Sequence, residues 1–299
     1  MVNLLFSPRQ TLSYLRNLFA ERGIKPKSKL GQNFLIDLNL LELLLRSAEL
    51  TPDDLAVEIG SGTGSLTLRL LEVAGAVVSV ELDPAFAALT DEVVRQRDRV
   101  SLIHADILKN KNELNPAVRL AIEDLARRSG TKRVKLVSNL PYAVAVPVLT
   151  NLLLSDWNVE RMVATVQWEI AERLTALPGT KDYGALAVMV QSLADVELIR
   201  RLSPKVFWPR PLVDSAIVCL RPNADKRRHV GNPLKFRAFL RDLYVHRRKN
   251  LRGALVGLPN SDFQKSEVDA GLAELNIPGS VRAETLDLEQ HLKLSERFG

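Results

Sequence analysis

A short apolar run that ends in three closely spaced glycines, LAVEIGSGTGSLT over residues 55–67, constrains this chain more than any other feature. Its first half has the β-branched, uncharged character of a buried strand, and from Ser65 the pattern is that of a helix. The same alternation of β-branched runs with helical stretches continues from about Leu38 onward. The further runs are AVVSVEL, VSLIHAD, VKLVSNL, RMVATVQ, VELIRRL and SAIVCLRP. Strands that alternate with helices predict an α/β fold around a mostly parallel sheet. The last two runs have no long helix between them, which predicts an antiparallel hairpin at one end of that sheet. Neither an internal repeat nor a low-complexity segment interrupts the pattern.

After Arg221 the β-branched runs stop, and Pro222, Asn223, Gly231, Asn232 and Pro233 make a breaker-rich linker into helical sequence. The expectation is an α/β domain over residues 1–221 and a small α-helical domain over residues 222–299. Between two of the strands, the segment Asn110 to Arg133 predicts a crossover helix starting at Pro116. Val118, Ile122 and Leu125 fall on one face of it, and Ser129 and Gly130 end it.

Composition excludes several classes of protein. No run reaches the roughly 18 apolar residues of a membrane span, and Met1 to Ala20, which contains Arg9 and Arg16, lacks the apolar centre of a signal peptide. A cytoplasmic protein without a membrane partner is expected. The single cysteine, Cys219, rules out an internal disulfide framework and a cysteine zinc cluster; within SAIVCL it reads as a small buried hydrophobe. The four histidines show no ligand spacing, so no metal is expected; His104, in a strand, reads as a packing residue. The net charge of +6 is unevenly spread, with eleven Lys or Arg against two acids from Arg221 to Arg252 and six against one from Arg9 to Lys29. Such runs are most often solvated faces, and polyanion binding gains weight only alongside a nucleic-acid chemistry.

The strand ends carry the chemistry. Glycines 60, 62 and 64 let a strand turn sharply into a helix whose exposed N–H groups face a ligand. A dinucleotide fingerprint would need a third glycine where Ser65 stands, and no GK[ST] follows, which excludes a P-loop. GxGxG with Glu58 two residues before it is the form of a methyltransferase site. The next strand ends at Glu81, an acid placed to accept from both hydroxyls of a ribose. The third ends at Asp106 and Ile107, placed to accept from an adenine amino group and to pack its ring. Each acid alone could equally be a helix cap. Open α/β sheets bind ligands at the carboxyl ends of their strands, so the three features converge on one crevice.

The fourth strand delivers SNLPY to the same crevice. The exocyclic amine of adenine is a poor nucleophile because its lone pair is delocalised into the ring. Two fixed acceptors on its hydrogens favour a pyramidal nitrogen. The side-chain oxygen of Asn139 and the backbone carbonyl of Leu140 are the candidate acceptors. Pro141 stiffens the turn, and Tyr142 offers a face for an extruded base. In VFWPRPLVDSAIV, Phe207 is a candidate for the other face of that base, and Trp208 reads as core.

These residues resemble a family, the ribosomal RNA adenine dimethyltransferases of small-subunit biogenesis (the KsgA group). The likeness runs through KSKLGQNFLID, VEIGSGTGSLT, VELD, HADIL, SNLPY, YGALAVMVQ, VFWPRPLVDSAIV, HRRKNLRGAL and VRAETL, in the family's order, from about Lys27 to Leu286. It implies a Rossmann-like S-adenosylmethionine methyltransferase domain with a small helical domain behind it. It implies cofactor contacts at Asn33, Leu35, Gly60, Glu81, Asp106 and Asn139, beside Gly62 and Ile107, with GQNFL as a lid-like segment. The implied substrate is a pair of neighbouring adenines in the 3′-terminal hairpin loop of small-subunit rRNA within a pre-ribosomal particle, and a monomer is expected. Arg247, Arg248, Lys249 and Arg252 resemble the family's basic carboxyl-terminal region, which would hold rRNA phosphates. Three departures stand out: Trp168 where the family commonly has lysine, AVAVP after Tyr142 in place of a more polar segment, and a crossover segment from Asn110 to Arg133 longer than the resemblance leads one to expect. The alternatives are a large-subunit rRNA methyltransferase of the antibiotic-resistance type and a non-catalytic assembly or transcription factor on the same fold.

Overall fold

Each of the seven apolar runs forms a strand of one sheet. The structure, a computed structural model, describes residues 10–259 and 262–299, so Arg9 lies outside the described residues. The chain begins with α1 (Leu12–Arg22), β1 (Phe34–Leu35) and α2 (Leu38–Ala48). Then come β2 (Asp54–Ile59), α3 (Ser65–Val73), β3 (Ala76–Glu81), α4 (Pro84–Val94) and β4 (Val100–His104). A short hairpin, β5 (Leu108–Asn110) and β6 (Glu113–Leu114), precedes α5 (Pro116–Ser129), β7 (Arg133–Ser138), α6 (Tyr142–Leu154) and β8 (Val159–Gln167). Two helices, α7 (Trp168–Thr175) and α8 (Ala185–Gln191), lead to β9 (Ala194–Leu202), β10 (Phe207–Trp208) and β11 (Ser215–Pro222). The remainder is helical: α9 (Ala224–Val230), α10 (Pro233–Val245), α11 (Leu251–Val256), α12 (Lys265–Glu274) and α13 (Leu288–Phe298).

The sheet has the order β4-β3-β2-β7-β8-β11-β9. Pairs β2–β3, β3–β4, β2–β7 and β7–β8 are parallel, and β11 runs antiparallel to β8. All residues of β2 and β3 are buried, as expected of parallel strands covered on both faces. Leu44, Leu70, Val77, Val137, Val163, Ile217 and Cys219 belong to one core cluster. As the sequence led us to expect, β9 and β11 are neighbours at one end of the sheet, and α5 begins at Pro116, buries Val118, Ile122 and Leu125, and stops at Gly130. The β5–β6 hairpin was not foreseen. His104 corrects another expectation: it is exposed, with its Nε2 3.2 Å from the carbonyl oxygen of Leu82.

The helices that leave the strand ends start where their caps dictate. Asp83 accepts from the Ala85 amide with Pro84 at the first helical position of α4, and Asn115 does the same for α5 with Pro116.

Two compact units divide the chain, one of Met1–Ala171 with Glu197–Arg221 and one of Glu172–Val196 with Pro222–Gly299. One division between the units falls at Pro222, and residues 172–196 belong to the second unit. Residues 172–196 group with the carboxyl-terminal helices because α8 packs on α10 and α13, and Gly179 donates to the carbonyl of Glu284. Within this second unit the Tyr244 ring stacks on the fully buried His291. The Nδ1–H of His291 donates to the Asp287 carbonyl at 2.7 Å, so its Nε2 accepts from the Tyr244 hydroxyl at 3.1 Å.

Candidate active site

Four parallel strands end on one cavity of about 840 Å³ including its open mouth. Gly60 and Gly62 reach it from β2, Glu81 from β3, Asp106 and Ile107 from β4, and Asn139 and Pro141 from β7, while Lys29 to Phe34 form a further wall.

Why glycine is needed at the β2 turn is visible in the backbone. Gly60 and Gly62 have φ of +82° and +56°, a region that residues with a Cβ rarely adopt. A Cβ on Gly62 would lie 2.8 Å from Cε1 of Phe34, and one on Gly60 would lie 3.2 Å from Cγ of Pro141. The cavity walls therefore close onto the glycine turn itself, a demand in addition to ligand approach.

Glu81 is 7% exposed, and its carboxylate accepts from the amides of Gly62 and Asp83, each at 2.9 Å. Burial pushes this carboxyl up, and the amides of Asp83, Gly62 and Leu82 pull it back without cancelling the rise. It is not the cap of α4, a role that Asp83 fills. Asp106 is exposed and accepts from the Leu108 amide at 2.9 Å, and Ile107 is buried. Behind the turn, the fully buried Glu58 accepts from Thr67 at 2.5 Å and from Ser79 at 2.7 Å. Burial raises its pKa to about 7.

The wall from Lys29 to Phe34 is tied down by side chains. Gln32 donates to Asp83 at 2.8 Å, and Lys27 pairs with the same carboxylate at 2.9 Å. Burial pushes Asp83 up, but the hydrogen bonds from Lys27 and Gln32 outweigh it and hold the carboxyl below its ordinary range. Phe34 packs among Phe19 and Phe86. From the other side, Asn139 donates through Nδ2 to the Asn33 carbonyl at 2.8 Å.

Phe207 departs from the expectation that it offers a face to a base. Phe207 is 1% exposed in the sheet core and has no face for a base. The reason is a two-residue ribbon in which Leu35 pairs with Phe207 and Phe34 with Trp208. Because side chains alternate along a strand, Leu35 and Phe207 turn into the main core, while Trp208 joins Phe19 and Phe34 in the aromatic cluster. The Leu35 side chain, 2% exposed, is likewise core and does not line the cavity; its carbonyl accepts from Gln10 at 2.9 Å. Leu140 is also 2% exposed, so only its backbone could serve a ligand. Tyr142 is half-buried, with its hydroxyl 2.5 Å from that of Ser215, which fixes the ring.

The family model described as ribosomal RNA adenine dimethylase matches residues 23–298. The chain belongs to the ribosomal RNA adenine dimethylase family. Among curated proteins, the ribosomal RNA small subunit methyltransferase A of Lachnoclostridium phytofermentans is 36% identical, over 98% of this chain and 97% of its own. The protein of the same name from Pelotomaculum thermopropionicum is 38% identical over 95% of each chain. Among solved structures, a dimethyladenosine transferase from Plasmodium falciparum shares the fold, with a TM-score of 0.69, 22% identity and coverage of 86% of this chain and 94% of its own. The 23S rRNA methyltransferase ErmE has a TM-score of 0.60 and 25% identity, with 89% and 99% covered. Enzymes of the dimethylase family use S-adenosylmethionine. The cavity fits it: a buried acid at one strand end, a second acid beside an apolar side chain at the next, and a glycine turn between strand and helix.

The Trp168 ring carries a cation of its own. The Arg201 guanidinium lies 4.3 Å over the Trp168 ring and pairs with Asp214 at 2.6 Å. Beyond the lid-like reading of GQNFL, the sequence gives no separate role to Gln32 or Phe34, and none to Phe86 or Thr165. The first two lie in the quoted GQNFL and could have been singled out there; the others carry no local signal.

The basic carboxyl-terminal residues divide into two groups. Arg247, Arg248 and Lys249 are exposed and pair with no acid among the described residues. Arg252 is held by Asp269 through Nε at 2.6 Å and Nη2 at 2.5 Å, so its charge is offset.

Proposed function

We propose that this protein dimethylates N6 of two neighbouring adenines in the 3′-terminal hairpin loop of small-subunit rRNA, acting as a monomer on a pre-ribosomal particle in the cytoplasm. The single observation that carries the reading is the placement of Asn139 on the same cavity as Glu81, Asp106 and the glycine turn. The identities of 36% and 38% to proteins named as small-subunit methyltransferases support the small subunit over the large.

Glu81 would accept from the ribose hydroxyls, and Asp106 and Ile107 would hold the adenine of the cofactor. Gly60, Gly62 and the backbone of Asn33 would line its path. When bound, S-adenosylmethionine supplies a methyl group on a sulfonium, which needs no help from a metal ion to leave. The protein's share is positioning. Asn139 Oδ1 and the Leu140 carbonyl accept the two amine hydrogens, and Tyr142, fixed by Ser215, supports the extruded base, with stacking worth roughly 1–3 kcal/mol. The alkylated nitrogen is acidic and gives its proton to water, so no general base of tuned pKa is required. Arg247, Arg248 and Lys249 would hold rRNA phosphates, which set position and not base identity.

Incubation with labelled S-adenosylmethionine and unmethylated small-subunit particles, followed by mapping of the modified bases, tests the proposal. Label confined to two adjacent adenines near the 3′ end is expected. Label at other bases, or none, would overturn it.

A further inference from the structure

Asn139 is gripped at both ends of its side-chain amide. Nδ2 donates to the Asn33 carbonyl at 2.8 Å, and Oδ1 accepts from the Thr165 hydroxyl at 2.5 Å. Thr165 lies in β8, is 0% exposed, and faces Ile217 of β11 across the sheet.

A primary amide offers an acceptor at one end and a donor at the other, and half a turn about its last torsion exchanges them. The Asn33 carbonyl can only accept, which settles where Nδ2 stands. With Nδ2 settled, the Thr165 hydroxyl must act as donor to Oδ1. Oδ1 has two lone-pair directions; Thr165 takes one and leaves the other. An amide held at one end only could still swing about that contact.

We infer that Thr165 is a positioning residue for methyl transfer, its buried hydroxyl locking the Asn139 amide so that the remaining lone pair of Oδ1 meets the exocyclic amine of the target adenine. The inference rests on the reading of Asn139 as the amine acceptor. The hydroxyl donates a hydrogen bond and keeps its proton throughout. A threonine serving only as a β-branched strand residue would need its methyl group and not its oxygen, and valine would then replace it without loss of rate.

The test uses the full chain on unmethylated small-subunit particles. In Thr165→Val we expect kcat to fall about tenfold, the effect of one misaligned hydrogen bond. KM for the particle and Kd for S-adenosylmethionine should stay within about twofold, because neither depends on the amide torsion. Thr165→Ser, which restores the hydroxyl, should recover to within about threefold of wild type. Thr165→Ser and Thr165→Ala differ only in the hydroxyl and carry the same comparison if the valine variant fails to fold. Equal kcat in that pair, or wild-type kcat in Thr165→Val, overturns the inference. Asn139→Ala separates the two layers. If it abolishes turnover while Thr165→Val runs at full rate, the Thr165 inference falls alone; if it turns over normally, the acceptor reading falls as well.

Discussion

The Asn139 side chain at the end of β7 donates to the backbone carbonyl of Asn33 at 2.8 Å, and both residues line the cavity. Asn33 belongs to a wall that Gln32 and Lys27 fasten to Asp83 at the start of α4. The residue proposed to grip the target amine and the wall proposed to cover the cofactor are thus joined by one hydrogen bond.

Glu81→Gln should weaken S-adenosylmethionine binding by about 1.5–3 kcal/mol, the scale of a hydrogen bond to a charged group. Titration calorimetry reads it directly. Unchanged affinity would remove Glu81 from the ribose.

Glu58 has a folded-state pKa of about 7 against an ordinary 4.5, with burial as its leading cause. Its contribution to stability is therefore fully present below the ordinary value and is lost as pH rises through about 7. The loss is about 3 kcal/mol in order of magnitude. His291 acts in the opposite sense: burial lowers its pKa to about 4 from 6.5, so its contribution is present above 6.5 and is lost as pH falls from there through about 4. Urea unfolding of wild type and Glu58→Gln across this range isolates the first effect. The variant should lack the alkaline decline, and parallel curves would contradict the buried-acid assignment.

Phe207→Leu should destabilise the fold by about 1 kcal/mol through lost core packing, which lowers the thermal midpoint, and leave kcat unchanged. A large fall in kcat at an unaltered midpoint would return the ring to the substrate site.

The strand ends were legible because each is a local signal: glycines after a strand, an acid after the next, Asn-Leu-Pro-Tyr after another. Phe207 was misplaced because its burial depends on pairing with Leu35, a partner far away in the chain that no short window reveals. Thr165 was silent for a similar reason. Within RMVATVQ a threonine satisfies strand propensity, and only the assembled sheet brings its hydroxyl to Asn139. The grouping of residues 172–196 with the carboxyl-terminal helices also rests on tertiary packing, chiefly of α8 on α10 and α13.

Neutralising Arg247 and Arg248 together, as Arg247→Gln and Arg248→Gln, should reduce the slope of log affinity for RNA against log salt by about 1 to 2. Filter binding over a salt series checks it. An unaltered slope would put the phosphates elsewhere.

A crystal structure with S-adenosylhomocysteine bound tests the central claim most directly. The account predicts the ribose hydroxyls on the Glu81 carboxylate, the adenine beside Asp106 and Ile107, and the sulfur facing Asn139 Oδ1 across a space that admits a purine. A nucleoside bound away from this crevice, or Oδ1 turned from that space, would contradict it.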